Sequence, residues 1–197
     1  MGDFHTAVAL IVATDTEETA VRHMYEWTQR TFAEDGQPYY EACFSRGSEE
    51  HRVAYARQGE MGMVAAAVLT TKLIGRYSPR YVIMVGIAAG IAKPDMAEQI
   101  YGDVNVANLV WNYSVGKFLP MERADIQYGS VGFIPRPTMI HISEDILPYV
   151  EAAAASPENQ CHVHIGPMAC GTSVVANRDV LEKQARSQLQ GTVALDM

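Results

Sequence analysis

Short apolar runs alternate with helix-like segments along most of this 197-residue chain. The runs are typical of buried strands because they are short, apolar and rich in Val, Ile and Ala. A strand–helix–strand alternation needs crossover connections, which favour parallel strands covered by helices on both faces of a sheet. The sequence therefore predicts an α/β fold: a single domain, residues 1–197, with a mixed, mostly parallel central sheet flanked by helices.

The individual elements follow from the period of the apolar residues. Strands are predicted at Ala7–Ala13, Tyr39–Ser45, Arg52–Gln58, Tyr81–Val85, Asp103–Val110, Cys161–Ala169 and Thr192–Met197. Helices are predicted at Thr16–Phe32, Met63–Arg76, Ser143–Ala155 and Asn177–Gln188. Residues 112–139 are rich in Gly, Pro and Tyr, which predicts long loops with one strand among them.

Composition and charge exclude several classes of partner. The formal net charge of −8 argues against a nucleic-acid partner, which would require a basic surface. No uncharged apolar run approaches the length of a membrane span, and the N-terminus lacks the basic region of a signal peptide. Cys43, Cys161 and Cys170 show no metal-type spacing, which indicates reduced thiols in a cytoplasmic protein. We expect no cofactor, no metal, no nucleic acid and no membrane partner.

One pair of histidines offers an alternative to the expectation of no metal. His162 and His164 are two apart in a predicted strand, so their imidazoles share one face. No third ligand follows nearby in the sequence, and the metal interpretation is therefore the weaker one.

Ligands of parallel α/β sheets usually bind beyond the carboxyl ends of the strands. In this chain the rule selects residues 13–18, 86–91 and 170–176. The stretch Gly86–Ile91 is neither a Walker loop nor a dinucleotide fingerprint, because it lacks the Lys-Ser/Thr pair and the required glycine spacing. Its small residues allow two interpretations: tight packing of the turn against a neighbouring element, or a slim ligand lying on exposed backbone.

Thr14 and Glu17 also have two interpretations. The spacing Thr-x-x-Glu is that of a capping box, which begins a helix and needs no further function. A carboxylate at the end of the first strand is also suited to act on a ligand at this edge of the sheet. The two interpretations are compatible.

Five segments in order resemble the purine nucleoside phosphorylase and nucleosidase superfamily. They are ATDTEETAV, RQGEMGMVAAA, VIMVGIAAGI followed by GDVNVAN, GPMACGTSVVAN, and VALDM. The superfamily's phosphorylases hold phosphate with an arginine in the strand before the glycine turn and a Ser or Thr in the turn. Here these positions are Met84 and Ile87. The chain therefore looks closest to the branch of methylthioadenosine/S-adenosylhomocysteine nucleosidases, which use water instead of phosphate.

The resemblance implies hydrolytic cleavage of the N-glycosidic bond of an adenosine-type purine nucleoside, with nucleoside and water as small-molecule partners. It implies that Glu17 is the catalytic residue, with Glu18 as the fallback. The substrate-binding residues that it implies are Met61, Ile87, Ala88, Ala89, Val174, Val175 and Met197. Val174 cannot stack on a base as the Phe of close relatives does, and Thr172 replaces an acid of the family, so adenine specificity is open.

The resemblance also implies a glutamate directly after Met197 and a later Ser-Asp pair, which these residues do not include. We expect that residues 1–197 lack the C-terminal strand and helices of the domain, and that they are weak or inactive alone but part of an enzyme in a longer protein. A homodimer or a domain of a larger protein is expected. The alternatives are a phosphorolytic enzyme, or a catalytically inert nucleoside-sensing module of a larger signalling or defence protein.

Overall fold

The computed structural model describes residues 4–91, 99–120, 122, 126–128, 131–172, 189 and 191–196. The chain divides into two compact units, with the boundary between Ile87 and Ala88. Both units combine strands with helices, and the predicted α/β class is confirmed. None of the described helices is both long and apolar enough to cross a membrane.

The first unit contains a mixed five-stranded sheet. Its strands are β1 (Thr6–Val12), β2 (Thr28–Thr31), β3 (Pro38–Arg46), β4 (Glu49–Arg57) and β5 (Pro79–Met84). Their order is β2-β3-β4-β1-β5, in which β1 is parallel to both β4 and β5, whereas β2, β3 and β4 are antiparallel. The helices of this unit are α1 (Asp15–Arg22) and α2 (Met63–Tyr77).

The two helices of the first unit cover opposite faces of its sheet. Leu69 and Leu73 of α2 are buried against Ile11 of β1. Val21 of α1 is buried against Val12, the next residue of the same strand. Because successive side chains of a strand point to opposite faces, the two helices pack on different sides. The sheet is thus covered as the sequence predicts for parallel central strands.

The second unit has two sheets among its described residues. The larger contains β6 (Ala89–Gly90), β7 (Val104–Asn112), β11 (Met139–His141), β12 (Val163–Cys170) and β13 (Ala194–Asp196). Their order is β11-β7-β12-β13-β6, with β7, β12 and β13 parallel. The smaller is an antiparallel sheet of β8 (Gly116–Leu119), β9 (Ile126–Tyr128) and β10 (Val131–Pro135). The helix α3 spans Leu147–Ala154, and Trp111 and Leu195 lie in the core of this unit.

The predicted helix Thr16–Phe32 is wrong in its second half. Helix α1 ends at Arg22, and Thr28–Thr31 pairs with β3 as a strand. Trp27 lies between them, where its ring packs edge-on against Tyr55 with centroids 4.7 Å apart. The Trp27 Nε1–H also donates to the carbonyl of Val21, in the last part of α1, at 3.1 Å. This tertiary anchoring overrides the helical spacing of the apolar residues.

Two other predictions differ from the structure. The helix expected from Ser143 begins at Leu147, where Pro148 fits the first turn, and the Ser143 hydroxyl instead donates to the Asp145 carboxylate. Residues 112–139 contain three strands of the small antiparallel sheet where loops and one strand are predicted. The predicted helix Asn177–Gln188 lies outside the described residues.

Candidate active site

Three adjacent parallel strands of the first unit end at the same edge of the sheet. Strand β1 ends at Val12, and its neighbours β4 and β5 end at Arg57 and Met84. The turn that carries Glu17 follows β1, and the turn that contains Gly86 follows β5. The sheet therefore brings two of the three predicted ligand-binding turns together, as the rule for parallel sheets requires.

The carboxylate of Glu17 accepts hydrogen bonds from three backbone N–H groups. Oε2 accepts from Ala13 N and Thr14 N, each at 2.8 Å, and Oε1 accepts from Ile87 N at 2.9 Å. The Thr14 hydroxyl accepts from Glu17 N at 3.3 Å, which completes the capping box. One side chain thus caps α1 and also reaches the turn after β5.

These contacts determine the charge of the Glu17 carboxylate. Partial burial raises the pKa of Glu17, but the N–H groups of Ile87, Ala13 and Thr14, together with the Thr14 hydroxyl, lower it, and the net pKa lies below the ordinary value. Hydrogen bonds to the charged form favour ionisation. Glu17 is therefore a carboxylate at neutral pH.

Gly86 lies next to the Glu17 carboxylate in this turn. A Cβ atom added at Gly86 would lie 2.9 Å from Glu17 Oε1 and 3.4 Å from Glu17 Cδ. The distance of 2.9 Å is too short for a contact between a Cβ atom and an oxygen, so one of the two groups would have to move. At this position the small residue leaves room for a neighbouring carboxylate, as the packing interpretation of the turn predicts.

A sequence profile of the Phosphorylase superfamily matches residues 7–197. The chain belongs to the Phosphorylase superfamily. A relative from Sinorhizobium fredii (strain NBRC 101917 / NGR234), the uncharacterized protein y4jS, is 30% identical. The alignment covers 84% of this chain but 42% of that relative, so the chain spans less than half of the relative's length.

Solved structures share the fold of this superfamily member. A 5'-methylthioadenosine/S-adenosylhomocysteine nucleosidase from Neisseria meningitidis, in complex with methylthio-immucillin-A, has a TM-score of 0.72 at 23% identity, over 98% of this chain and 75% of its own. A putative nucleosidase of the same kind from Borrelia burgdorferi, bound to adenine, has a TM-score of 0.73 at 18% identity, over 96% and 76%. A futalosine hydrolase mutant of Helicobacter pylori has a TM-score of 0.65 at 19% identity, over 98% and 79%.

Met61 and Ile87 of the superfamily chain present exposed apolar side chains at the same edge of the first sheet. Their relative exposures are 59% and 71%. Met61 follows β4 and Ile87 follows β5, so the two residues belong to the turns on either side of β1. In the second unit, Ala88 and Ala89 are half-buried, and Ala89 pairs with Leu195 of β13.

The remaining predicted site residues are described only in part. Val174, Val175 and Met197 lie outside the described residues. Thr172 is exposed. Cys170 ends β12, and its thiol donates to the carbonyl of Trp111 at 3.4 Å. Burial, followed by the charge of Asp196, raises the pKa of the Cys170 thiol, so the thiol stays protonated at neutral pH.

Glu18 has a different environment from Glu17. It is 9% exposed and forms ion pairs with Arg22 at 2.9 Å and with Arg57 at 3.0 Å. Arg57 is not among the predicted site residues. Its position in the strand could have indicated it. Arg57 is the last residue of a strand next to β1, and its side chain lies on the same face of the strand as that of Tyr55, two residues before.

The histidine pair of the second unit has a contact that the sequence analysis did not predict. His164 Nε2 lies 2.9 Å from Asp103 Oδ2, and both side chains are buried. Asp103 Oδ2 also accepts from the N–H of Ile100 at 3.0 Å. No group of three or more His, Cys, Asp or Glu side chains with the geometry of a metal site occurs in the described part of the chain.

Proposed function

We propose that this Phosphorylase superfamily member hydrolyses the N-glycosidic bond of an adenosine-type purine nucleoside and releases the base. The observation that carries the proposal is the ionised Glu17 carboxylate, which is held by Ile87 N at the carboxyl edge of the sheet. Solved structures of this fold include nucleosidases and a futalosine hydrolase. Glu17 is the proposed catalytic residue, and Met61, Ile87, Ala88, Ala89, Val174, Val175 and Met197 are the proposed substrate-binding residues.

The contacts of Glu17 suggest how it handles the water. Each carboxylate oxygen has two lone pairs. Two N–H groups occupy Oε2, whereas one N–H group occupies Oε1, so Oε1 retains acceptor capacity for a water proton. A carboxylate with a lowered pKa is a weak base. Glu17 therefore orients the water and stabilises positive charge, and it does not need to remove a proton before attack.

The bonds of the proposed reaction balance without a cofactor. The C1'–N bond breaks and the purine leaves with its electron pair, which gives a ribosyl cation-like transition state related to that of glycoside hydrolysis. The water oxygen, held by Glu17, forms a bond to C1' and loses a proton. The departing purine gains a proton. The products are the free base and the free sugar.

Hydrolysis is favoured over phosphorolysis by the residues beside Glu17. A bound phosphate dianion requires cationic partners in a partly desolvated site. Met84 and Ile87 are apolar and exposed, with relative exposures of 46% and 71%. The guanidinium of Arg57, at the end of the neighbouring strand, already pairs with the carboxylates of Asp15 and Glu18.

The test is an analysis of the reaction products when either water alone or water and phosphate are available to accept the ribosyl group. The chain, and the full-length product of the gene that encodes it, are incubated with adenosine, methylthioadenosine or inosine in phosphate-free and in phosphate buffer. We expect the full-length product to release free purine and free sugar in both buffers, and the 197 residues alone to do so weakly or not at all. A strict requirement for phosphate, with ribose 1-phosphate as the product, would establish phosphorolysis instead. Calorimetric binding of nucleosides without any product would support the inert sensing module.

A further inference from the structure

We propose that Arg57 is a positioning residue for Glu17, and that it acts through the two acidic side chains on either side of Glu17 in the first turn of α1. The proposal rests on the hydrolytic function proposed above, in which Glu17 orients the attacking water. It assigns a role to Arg57, Asp15 and Glu18 that neither the helix cap nor the glycine turn explains.

The guanidinium of Arg57 bridges two carboxylates of α1. Arg57 Nε lies 3.0 Å from Glu18 Oε2, and Arg57 Nη1 lies 3.0 Å from Asp15 Oδ1. The planar fork of an arginine can hold two acceptors in fixed directions, which the single ammonium of a lysine cannot do. Since Glu17 lies between Asp15 and Glu18 in the chain, this bridge fixes the backbone of the turn that carries Glu17.

The far end of the bridge is anchored in the sheet. Arg57 is paired in register with Val12, the last residue of β1. The N–H of the next residue, Gln58, donates to the Val12 carbonyl at 2.9 Å. Arg57 therefore has a fixed backbone position one strand away from the turn that it holds.

Glu18 makes the bridge costly to break. Its Oε1 accepts from Arg22 Nη2 at 2.9 Å and lies 3.3 Å from the Tyr55 hydroxyl, so Arg57 is the partner of the other oxygen, Oε2. The residue is buried, and without Arg57 its Oε2 loses its cationic partner, while Arg22 still pairs with Oε1. We infer that without Arg57 the first turn of α1 shifts to expose Glu18.

A shift of that turn would move the Glu17 carboxylate away from Ile87. Helix α1 has eight residues, and a helix of that length depends on tertiary contacts for its position. The Glu17 side chain extends from α1 to the turn after β5, where it accepts from Ile87 N. Catalytic groups are sensitive to displacements of about 1 Å, which can lower the rate about 100-fold.

The experiment compares Arg57→Met and Arg57→Lys with the wild type. Arg30→Met is the matched control, because Arg30 forms a longer ion pair, 3.7 Å to Glu41, elsewhere in the sheet. The backbone amides of Ala13, Thr14 and Ile87 are followed by NMR through an acid titration, since they report the ionisation of Glu17 directly. In the same proteins kcat, KM and Tm are measured.

In both Arg57 variants we expect the Ile87 amide signal to stop responding to the ionisation of Glu17. We expect the midpoint of the Glu17 titration, followed at the amides of Ala13 and Thr14, to rise by about one pH unit. We expect kcat to fall at least about 10-fold with KM nearly unchanged, because positioning acts on the transition state. Arg30→Met should match the wild type in all of these readouts. Asp15→Asn removes one of the two ion pairs of Arg57. The Asp15 side chain is 89% exposed, so the variant should fold, and its kcat and amide titration should change in the same direction as those of the Arg57 variants but to a smaller extent.

Three outcomes overturn the proposal. If the Ile87 amide titrates normally in Arg57→Met and Asp15→Asn, Arg57 does not position Glu17. If Arg57→Lys and Arg57→Met both match the wild type in kcat, neither the charge nor the fork of residue 57 positions Glu17. If Tm falls but kcat and the amide titration do not change, Arg57 only stabilises the fold. A full-length wild type that releases no base from any nucleoside refutes the proposed function, and the amide titration still decides the role of Arg57.

Discussion

The carboxylate of Glu17 links three backbone segments: the end of β1, the first turn of α1 and the turn after β5. A helix cap and a proposed catalytic group are therefore the same side chain. Its N–H donors hold it ionised and keep Oε1 beside Gly86. Changes at Glu17 and at Gly86 should consequently affect both activity and stability.

Replacing Glu17 with Gln tests the proposed catalytic role. The Gln amide has one acceptor oxygen, and its NH₂ group would face one of the N–H donors that the carboxylate accepts. We expect kcat for base release to fall about 100-fold or more, with a lower Tm because at least one of the three backbone N–H groups loses its acceptor. The control is Glu34→Gln, at an exposed ion pair of 3.8 Å with Arg76. Full activity in the Glu17 variant would contradict the assignment.

Replacing Gly86 with Ala tests the close approach of the carboxylate. The added methyl would lie 2.9 Å from Glu17 Oε1, so the carboxylate must move and weaken its bond to Ile87. We expect a lower kcat and a lower Tm. The matched control is Gly75→Ala in α2, where an added Cβ meets no atom within 4 Å, and which we expect to stabilise the helix by about 1 kcal/mol without loss of activity. Equal activity in the two variants would rule out the contact.

The lowered pKa of Glu17 predicts a pH dependence of stability. A carboxyl whose folded pKa lies below its unfolded value of about 4.3 stabilises the protein above that pH. This contribution is lost as the pH falls through the folded pKa. The difference in unfolding free energy between the wild type and Glu17→Gln should therefore be constant near neutral pH and should shrink below about pH 4. Chemical denaturation over this pH range measures it, and a difference that increases in acid would contradict the contacts of Glu17.

At the scale of elements, the parallel strands of the first unit determine where the site lies. Strands β4, β1 and β5 end at one edge, where the last residue of β4 is Arg57 and the segments after β1 and β5 supply Glu17 and Ile87. The helices on the two faces differ in how they are held. Helix α2 has a continuous buried face, whereas α1 is held by its capping box, by Val21 and by the ion pairs of Glu18.

The start of β7 and the strand β12 are joined by the Asp103–His164 contact. The hydrogen bond with the His164 side chain, followed by that with the Ile100 N–H, lowers the pKa of Asp103. We expect Asp103→Asn to lower Tm at neutral pH, and the difference from the wild type should disappear as the pH falls through the lowered pKa of Asp103. Glu158→Gln, at an exposed side chain, is the control. A thermal melt of Asp103→Asn that equals the wild type at pH 7 would show that the contact does not stabilise the second unit.

At the scale of the whole molecule, the alternation of strands and helices was sufficient to predict the α/β class, and the resemblance of five segments indicated the superfamily. The alternation did not predict which strands pair with each other in which sheet. The described strands form three sheets in two compact units, whereas the sequence predicted a single central sheet. Pairing between strands depends on backbone hydrogen bonds over long sequence separations, and the period of apolar residues does not specify the partner.

The sequence by itself determined the local features of this protein. The spacing of Thr14 and Glu17 encodes a capping box, and the period of α2 encodes a helix with one buried face, because both depend on residues a few positions apart. The tertiary structure alone decided that Glu17 reaches Ile87, 70 residues away, and that Glu18 is enclosed by two arginines. It also decided that Trp27 ends the helical segment by packing on Tyr55. These contacts join residues that come together only when the strands pair, so no local pattern in the chain contains them.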